Sequence, residues 1–463
     1  MSISSFLTKK FLKSLFFPAH NRGSALPKKF VRLLKHRPGL WDLPELPEIG
    51  SPSSNSGLIY KSQKAFCKKF KVNGCFYGVN GASGLIQSAV IAMANPGEYI
   101  VMPRNVHISV IKICASYSIN PIFFDLEFSS ETGHQKPITK KWLKNVFKEI
   151  NFDKGKIAGV ILVNPTYHGY VADIKPLIDL CHKKKLPVLV DEAHGSYFLF
   201  CKNLDLPKSS LLFNADLVVH SLHKSLNGLT QTAVLWHKGD LVNEHNLIKS
   251  VNLLQTTSPS SLLLSSCEES LKDWLNKKSL SKYQKRILEA KSIYKKLLQK
   301  KIPLIETQDP LKIILNTSKA GIDGFTADTF FYRNGLIAEL PEMTTLTFCL
   351  GFANHKDFVK IFEKLWNKLL LTSKKSKNFK VLQSPFKLVH EPEIEIGIAW
   401  RSNTRSIPFS QSLNQISGDI ICPYPPGIPL LVPGEKIDKN RFNWIKNQSL
   451  HNKDLVDFNI RVL

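Results

Sequence analysis

The sequence lacks any stretch approaching the roughly 18 uninterrupted apolar residues that a membrane span requires, which argues against a membrane-spanning chain. Residues 1–17, MSISSFLTKKFLKSLFF, are basic and apolar but lack a small-residue cleavage site after a clean apolar core. They predict an amphipathic first helix rather than a targeting peptide, with a membrane-surface helix as the second reading. CxxC pairs are also missing. The eight cysteines, at 67, 75, 114, 181, 201, 267, 349 and 422, form no cluster with zinc-ligand spacing, so the expected metal content is none. Cysteines scattered in this way predict buried thiols in a reducing compartment, hence a cytoplasmic protein. Internal repeats are absent. Acidic residues are scarce: 37 stand against 63 Lys and Arg, a formal net charge of +26. That charge could draw nucleic acid, but the basic residues are dispersed, for example at 183–185, 277–278, 300–301 and 374–377, with no repeated aromatic interleaving. Solvated lysine faces are the better reading, and no nucleic-acid partner is expected.

What remains is the balance of a globular protein, 43% apolar and 22% charged, in 463 residues, enough for two or three domains. Residues 1–55 read as an arm, with a Pro-rich run at 39–52 that cannot build its own core. Residues 56–268 alternate short apolar runs with helical stretches. Strands are expected at 98–102, 121–124, 157–163, 187–190, 217–219 and 232–236. Helices are expected at 84–94, 106–115, 140–150, 174–183 and 241–248. This alternation predicts a parallel α/β sheet buried on both faces. Residues 268–302 read as one long basic amphipathic helix leading into a smaller α+β unit, 269–372 in all, with strands at 311–316 and 345–351. Residues 373–378 (SKKSKN) look like a linker to a last segment, 373–463, with a Pro-rich tract at 421–435.

Three segments of the α/β region carry chemistry together. In Asn80-Gly81-Ala82-Ser83-Gly84, the glycines allow close backbone approach, Ser83 can cap the following helix, and the helix start suits a phosphate. In Val188-Leu189-Val190-Asp191-Glu192-Ala193-His194-Gly195, an apolar strand ends in an aspartate where α/β sheets bind ligands; an Asp there can hold a cationic ring nitrogen. In Leu217-Val218-Val219-His220-Ser221-Leu222-His223-Lys224, a strand runs into Ser221 and His223, which can donate to a phosphate, and Lys224. Alone, each is a common structural feature. In this order they suit pyridoxal 5'-phosphate (PLP), which needs a lysine amine kept neutral by burial and neighbouring charge, and a carboxylate to keep its ring nitrogen protonated.

These residues resemble the fold-type I, PLP-dependent ornithine/lysine/arginine decarboxylases, in their short bacterial form. The resemblance is carried by VNGASGLIQSAV (79–90), MPRNVHISVI (102–111), VDEAHGSYFLF (190–200), SLHKSLNGLTQTAVLW (221–236), TTSPSSLLLSS (256–266), CPYPPGIPLLVPGE (422–435) and, more loosely, PAHNRG (18–23) and DLPELP (42–47). It spans nearly the whole chain in one order, which single motifs lack. The resemblance implies a large domain of the aspartate aminotransferase type, with a mainly parallel seven-stranded sheet and a smaller α+β C-terminal domain. It implies that Lys224 carries PLP as a Schiff base, that Asp191 pairs with the pyridine nitrogen, that His107 stacks on the ring, and that His194 lies close to both. Ala82, Ser83, Ser221 and His223 would hold the phosphate. Thr256 would reach the phosphate of a neighbouring subunit, making a homodimer, or a higher homo-oligomer, necessary for a complete site.

The expected reaction is decarboxylation of a basic amino acid, arginine ranking ahead of lysine and ornithine, to the amine used in polyamine biosynthesis. Glu339, Glu342 and Glu435 are the candidate partners for the substrate's distal cation. Several departures bear on substrate: Ala19 and Asn21 in the N-terminal motif, Tyr197 for a histidine, Ser261 for a tyrosine, and Asn227-Gly228 after the lysine. Two other readings stand beside this one. The first is another fold-type I PLP reaction, a lyase step or transamination; an aminotransferase would need an arginine clamp, for which Arg401 or Arg405 could serve. A non-catalytic basic binding protein would not retain PLP.

Overall fold

The structure, a computed structural model, describes residues 13–35, 38–44, 46–201, 204–375, 379, 381, 383–424, 426–449 and 458–463. Most of the expected N-terminal helix (1–12) and half of the expected linker (376–378) therefore lie outside the described residues. Residues 13–14, given to that helix, form a short strand pairing in parallel with Leu336–Ile337.

The central sheet is built from β1 (Gly74–Gly78), β2 (Tyr99–Pro103), β3 (Asn120–Phe124), β4 (Ile157–Val163), β5 (Val188–Asp191), β6 (Leu217–Ser221), β7 (Ala233–His237) and β8 (Val389–His390). The spatial order is β8-β3-β2-β4-β5-β6-β7-β1. Strands β3 through β6 run parallel. β7 is antiparallel to β6, and β1 to β7. The expected seven strands are joined by an eighth: the C-terminal segment lends β8 antiparallel to the β3 edge, so the sheet edge is covered. β1 was not anticipated. Its sequence, GCFYG, opens and closes on glycine, which weakens the strand signal. Gly78 has a packing reason, since a Cβ there would lie 2.7 Å from Leu85.

The strands are mostly apolar, with polar residues chiefly at their ends, because both faces are covered. Side chains alternate between two cores: Val188 and Val190 enter one cluster and Leu189 the other, as do Leu162 and Ile161. All five are at most 1% exposed, and burying each such side chain contributes about 1.5–3 kcal/mol.

The expected long helix at 268–302 is two, α4 and α5 in the labels used below. Together with α1 (Gly81–Met93), α2 (Ile108–Tyr117) and α3 (Leu222–Ser225), these are α4 (Ser261–Leu275) and α5 (Lys277–Gln299). Asn276 makes the break: its backbone is extended (φ −73°, ψ 122°). Its side chain accepts from the N–H groups of Lys278 and Ser279 at 3.0 and 3.2 Å, capping α5. Beyond it lies an antiparallel four-stranded sheet in the order Leu340–Pro341, Thr345–Cys349, Lys312–Asn316, Leu304–Ile305. The last segment has its own apolar cluster, including Phe409, Leu431, Ile437 and Val462. Among the described residues no helix is long and apolar enough to cross a membrane.

Candidate active site

The carboxyl ends of β4, β5 and β6 and the start of α1 surround a cavity of about 320 Å³. Of the residues singled out above, Ala82, Ser83, His107, Asp191, His194, Ser221, His223 and Lys224 all line it. They converge because parallel strands deliver their last residues to one sheet edge. Thr256 does not line it. That residue stands exposed in the turn before α4, its Oγ1 accepting from the Ser258 N–H at 3.2 Å.

Lys224 sits on α3, one turn past β6. Its Nζ is 3.1 Å from His194 Nε2. Burial lowers the pKa of this amine, and nearby Asp191 only partly opposes the shift. Asp191 ends β5, and its Oδ1 accepts from the Ala193 N–H at 3.1 Å. Burial raises its carboxyl while Lys224 pulls the other way. His194 is held well below the usual imidazole range by burial and then by Lys224. Burial first and Lys224 second also push His107 and His223 down to about 4. Burial thus disfavours the charged form of all three imidazoles.

Two details differ from expectation. Ser83 does not cap α1: Asn80 is the N-cap, and Ser83 is the third residue of the helix and lines the cavity. Gly81 takes φ +69°, which a side chain would resist, and donates its N–H to Gln231 O at 2.8 Å. His107 precedes α2 rather than lying in it. It is the N-cap, with Nδ1 2.8 Å from Ser109 Oγ. The C-terminal tract closes over it. Ile108 N–H donates to Gly427 O at 2.8 Å, and a Cβ on Gly427 (φ +81°) would lie 3.2 Å from the His107 ring.

Sequence reasoning missed Asn105, Tyr167 and Lys312. Tyr167 follows β4 and its ring lies 4.7 Å from that of His194. Its position just past a strand end was the available signal. Lys312 opens an apolar strand, where a lysine signals nothing. It is 5% exposed, 3.2 Å from Cys349 Sγ, and stands over the rings of Phe17 and Tyr167 at 4.6 and 5.3 Å. Burial disfavours its charge, but Cys349, Asp309 and Glu339 more than offset this and raise its pKa.

The departures from the family pattern mostly point away from the cavity. Tyr197 is fully buried and donates to Asp309 Oδ1 at 2.6 Å. Ser261 Oγ bonds Trp41 O and the Leu43 N–H, pinning the arm. Ala19 donates its N–H to His223 O at 2.9 Å, directly beneath the Lys224 loop. Arg401 and Arg405 are exposed and bond Ser118 and Gln415; neither lines the cavity.

A second cavity, of about 380 Å³, shares Asn105, Tyr167, Tyr424, Pro426 and Ile428 with the first. Glu342 lines it, its side chain 30% exposed. Burial raises the Glu342 carboxyl, but the His168 and His134 imidazoles outweigh burial and hold it well below the usual range. The other two carboxylate candidates are engaged. Glu435 is fully buried against Arg104 at 2.9 Å, and Glu339 accepts from Tyr167 Oη and the Phe17 N–H.

A doubly covered α/β sheet with a buried lysine, an aspartate and a helix start at its carboxyl edge defines a fold-type I PLP enzyme. The comparisons narrow the class. The Orn/Lys/Arg decarboxylase major domain matches residues 14–313, and the Orn/Lys/Arg decarboxylase C-terminal domain matches residues 375–454. The chain belongs to the Orn/Lys/Arg decarboxylase family and is a PLP-dependent amino-acid decarboxylase. It is 28% identical to the arginine decarboxylase of Bacillus anthracis over 453 residues, covering 93% of this chain and 88% of that one. It is likewise 28% identical to the arginine decarboxylase of Bacillus subtilis, covering 92% and 89%. In fold it is similar to the constitutive lysine decarboxylase of E. coli, with a TM-score of 0.75 at 16% identity, over 99% of this chain and 81% of that one.

The side chains present fit the cofactor. His194 Nδ1 is buried without a partner among the described residues. The cavity also sets an amine, a carboxylate and a helix start around one enclosed volume, matching the aldehyde, ring nitrogen and phosphate of PLP.

Proposed function

We propose that the chain decarboxylates a basic amino acid, arginine ahead of lysine and ornithine, to the corresponding amine and CO₂. The observation that carries this reading is a pair of neighbouring cavities with five lining residues in common, one at Lys224 and one at Glu342. A long side chain ending in a cation can span them. Of the three candidate carboxylates, Glu342 alone among the described residues lines a cavity while partly exposed. The ranking of arginine rests on the relatives named arginine decarboxylase, which match over most of their length.

Bound PLP supplies an electron sink for the pair released from the Cα–carboxylate bond. Lys224, whose neutral amine burial favours, is the residue that holds it. Asp191 would pair with the ring nitrogen and keep a proton there. His107, which lines the cavity, would stack on the ring. The first-turn N–H groups of α1, with Ala82, Ser83, Ser221 and His223, would hold the phosphate. Tyr424, Pro426 and Ile428 line both cavities. Lys224 Nζ and His194 Nε2, 3.1 Å apart, are the groups able to deliver the proton that Cα receives. Glu342 orients the substrate by its far end, so that the carboxylate to be lost meets the enclosed cavity.

Thr256 completes the phosphate site of a second copy, in a homodimer or larger homo-oligomer. Its exposure and its distance from its own chain's cavity support this. The reading is tested by measuring CO₂ release and amine identity from PLP-loaded protein given arginine, lysine and ornithine separately, beside Lys224→Ala. One dominant amine, absent in the variant, is expected. No amine from any of the three, with PLP bound, overturns the reading.

A further inference from the structure

Three residues that share no sequence motif meet at the wall of the distal cavity. His134 lies in the loop after β3, His168 in the loop after β4, and Glu342 in the turn between Leu340–Pro341 and Thr345–Cys349. The two imidazoles stack with centroids 3.7 Å apart. His134 Nε2 is 3.1 Å, and His168 Nε2 2.7 Å, from the same oxygen, Glu342 Oε2. One donor atom from each residue falls within 4.8 Å of the other two. We propose that this cluster binds a divalent transition-metal ion of the zinc class.

The donor set selects the class. Two imidazoles and one carboxylate suit zinc, cobalt or nickel, whereas magnesium and calcium take oxygen ligands. A tetrahedral ion with bonds of about 2.0–2.1 Å holds its ligands roughly 3.4 Å apart. From 3.1 and 2.7 Å, the two imidazole–carboxylate separations need to open by about 0.3 and 0.7 Å, and the rings, stacked at 16°, must turn so that both Nε2 lone pairs meet at one ion. The outer shell is also in place. His134 Nδ1 is 3.1 Å from Tyr170 Oη. With its ring proton on Nδ1, donated to that oxygen, His134 turns the Nε2 lone pair toward the cluster. Such a partner is what orients metal-binding imidazoles. Both histidines are buried while Glu342 faces the cavity, so an ion has an entry path and a coordination position left for water.

An ion held there occupies the carboxylate that the proposed reaction assigns to the substrate's distal cation. Metal and basic substrate therefore compete for Glu342. This competition rests on the substrate reading, whereas the metal site does not.

The test titrates chelator-treated, PLP-loaded protein with Zn²⁺ by calorimetry and with Co²⁺ by visible absorption. One ion per chain is expected, with cobalt bands of nitrogen and oxygen coordination and no thiolate charge transfer. His134→Gln and His168→Gln should each weaken binding by roughly 30-fold, within the range that loss of even an outer-shell partner produces. Absence of stoichiometric binding, unchanged binding in both variants, or a thiolate band overturns the site. Should the variants fail to fold, the cobalt spectrum of the unaltered protein decides alone. With arginine as substrate, Zn²⁺ should raise KM and leave kcat in place. One ion bound with KM unmoved keeps the metal site and overturns the competition.

Discussion

The cavity at Lys224 and the cavity at Glu342 share Asn105, Tyr167, Tyr424, Pro426 and Ile428, yet their polar groups come from different kinds of backbone. Around Lys224 the groups sit at strand ends and helix starts: Asp191 closes β5, Ser221 closes β6, and Ala82 and Ser83 open α1. Around Glu342 they sit on loops and a turn, at His134, His168 and Glu342 itself. Strand ends in a packed sheet are fixed by both cores at once. Loops carried on that scaffold can change without unfolding it. The comparison therefore assigns chemistry to the rigid cavity and substrate choice to the loop-built one. It can be broken by any variant whose effect falls on the wrong side.

The largest effect is expected at Lys224. On the proposed reading Lys224→Ala removes both the amine that would hold the cofactor and a proton carrier, and should lower kcat by roughly 10³-fold or more. Rate and cofactor absorption measured together check this. Full activity in Lys224→Ala sinks the assignment of chemistry to this cavity. Asp191→Asn keeps the shape but not the charge that secures the ring proton. It should lower kcat by about 10²–10³-fold, with a smaller change in KM. A variant that raised KM alone would move Asp191 to the substrate side of the comparison.

Glu342→Gln should do the reverse. A charged hydrogen bond to substrate is worth about 2 kcal/mol, or roughly 30-fold in binding. KM for the preferred basic amino acid should rise by about that factor while kcat changes little. If instead kcat falls and KM holds, the distal cavity is not where the substrate's cation rests.

The same contrast explains what could be read in the sequence. The residues expected in the Lys224 cavity that line it fall in contiguous motifs, at 80–84, 102–111, 188–195 and 217–224, because each motif is a strand or helix end. Strand β4 was legible to the residue, its IAGVILV run being apolar with no break. The Glu342 cluster was not legible. His134, His168 and Glu342 lie 34 and 174 residues apart in the chain, and only the packing of three separate loops joins them. Asn276 also hid in plain view: the apolar spacing continues across it, and a side-chain cap, not a change of pattern, ends one helix and starts the next.

Tyr197 gives the smallest effect and the sharpest test of the boundary between the two regions. It replaces a histidine of the family pattern three residues after His194, so sequence position alone would make it a substrate contact. The side chain is instead fully buried, with its hydroxyl on Asp309 Oδ1. Asp309 is itself buried and also accepts from the Leu311 N–H at 2.9 Å. Tyr197→Phe removes one bond to this buried carboxylate and leaves the ring packed. The expected cost is about 1–3 kcal/mol of stability, read as a lower denaturant midpoint, with KM and kcat near those of the unaltered protein. A shifted KM at unchanged stability would mean that Tyr197 reports to the substrate after all. The line between rigid chemistry and adjustable recognition would then have to be drawn through the loop that follows β5, not beyond it.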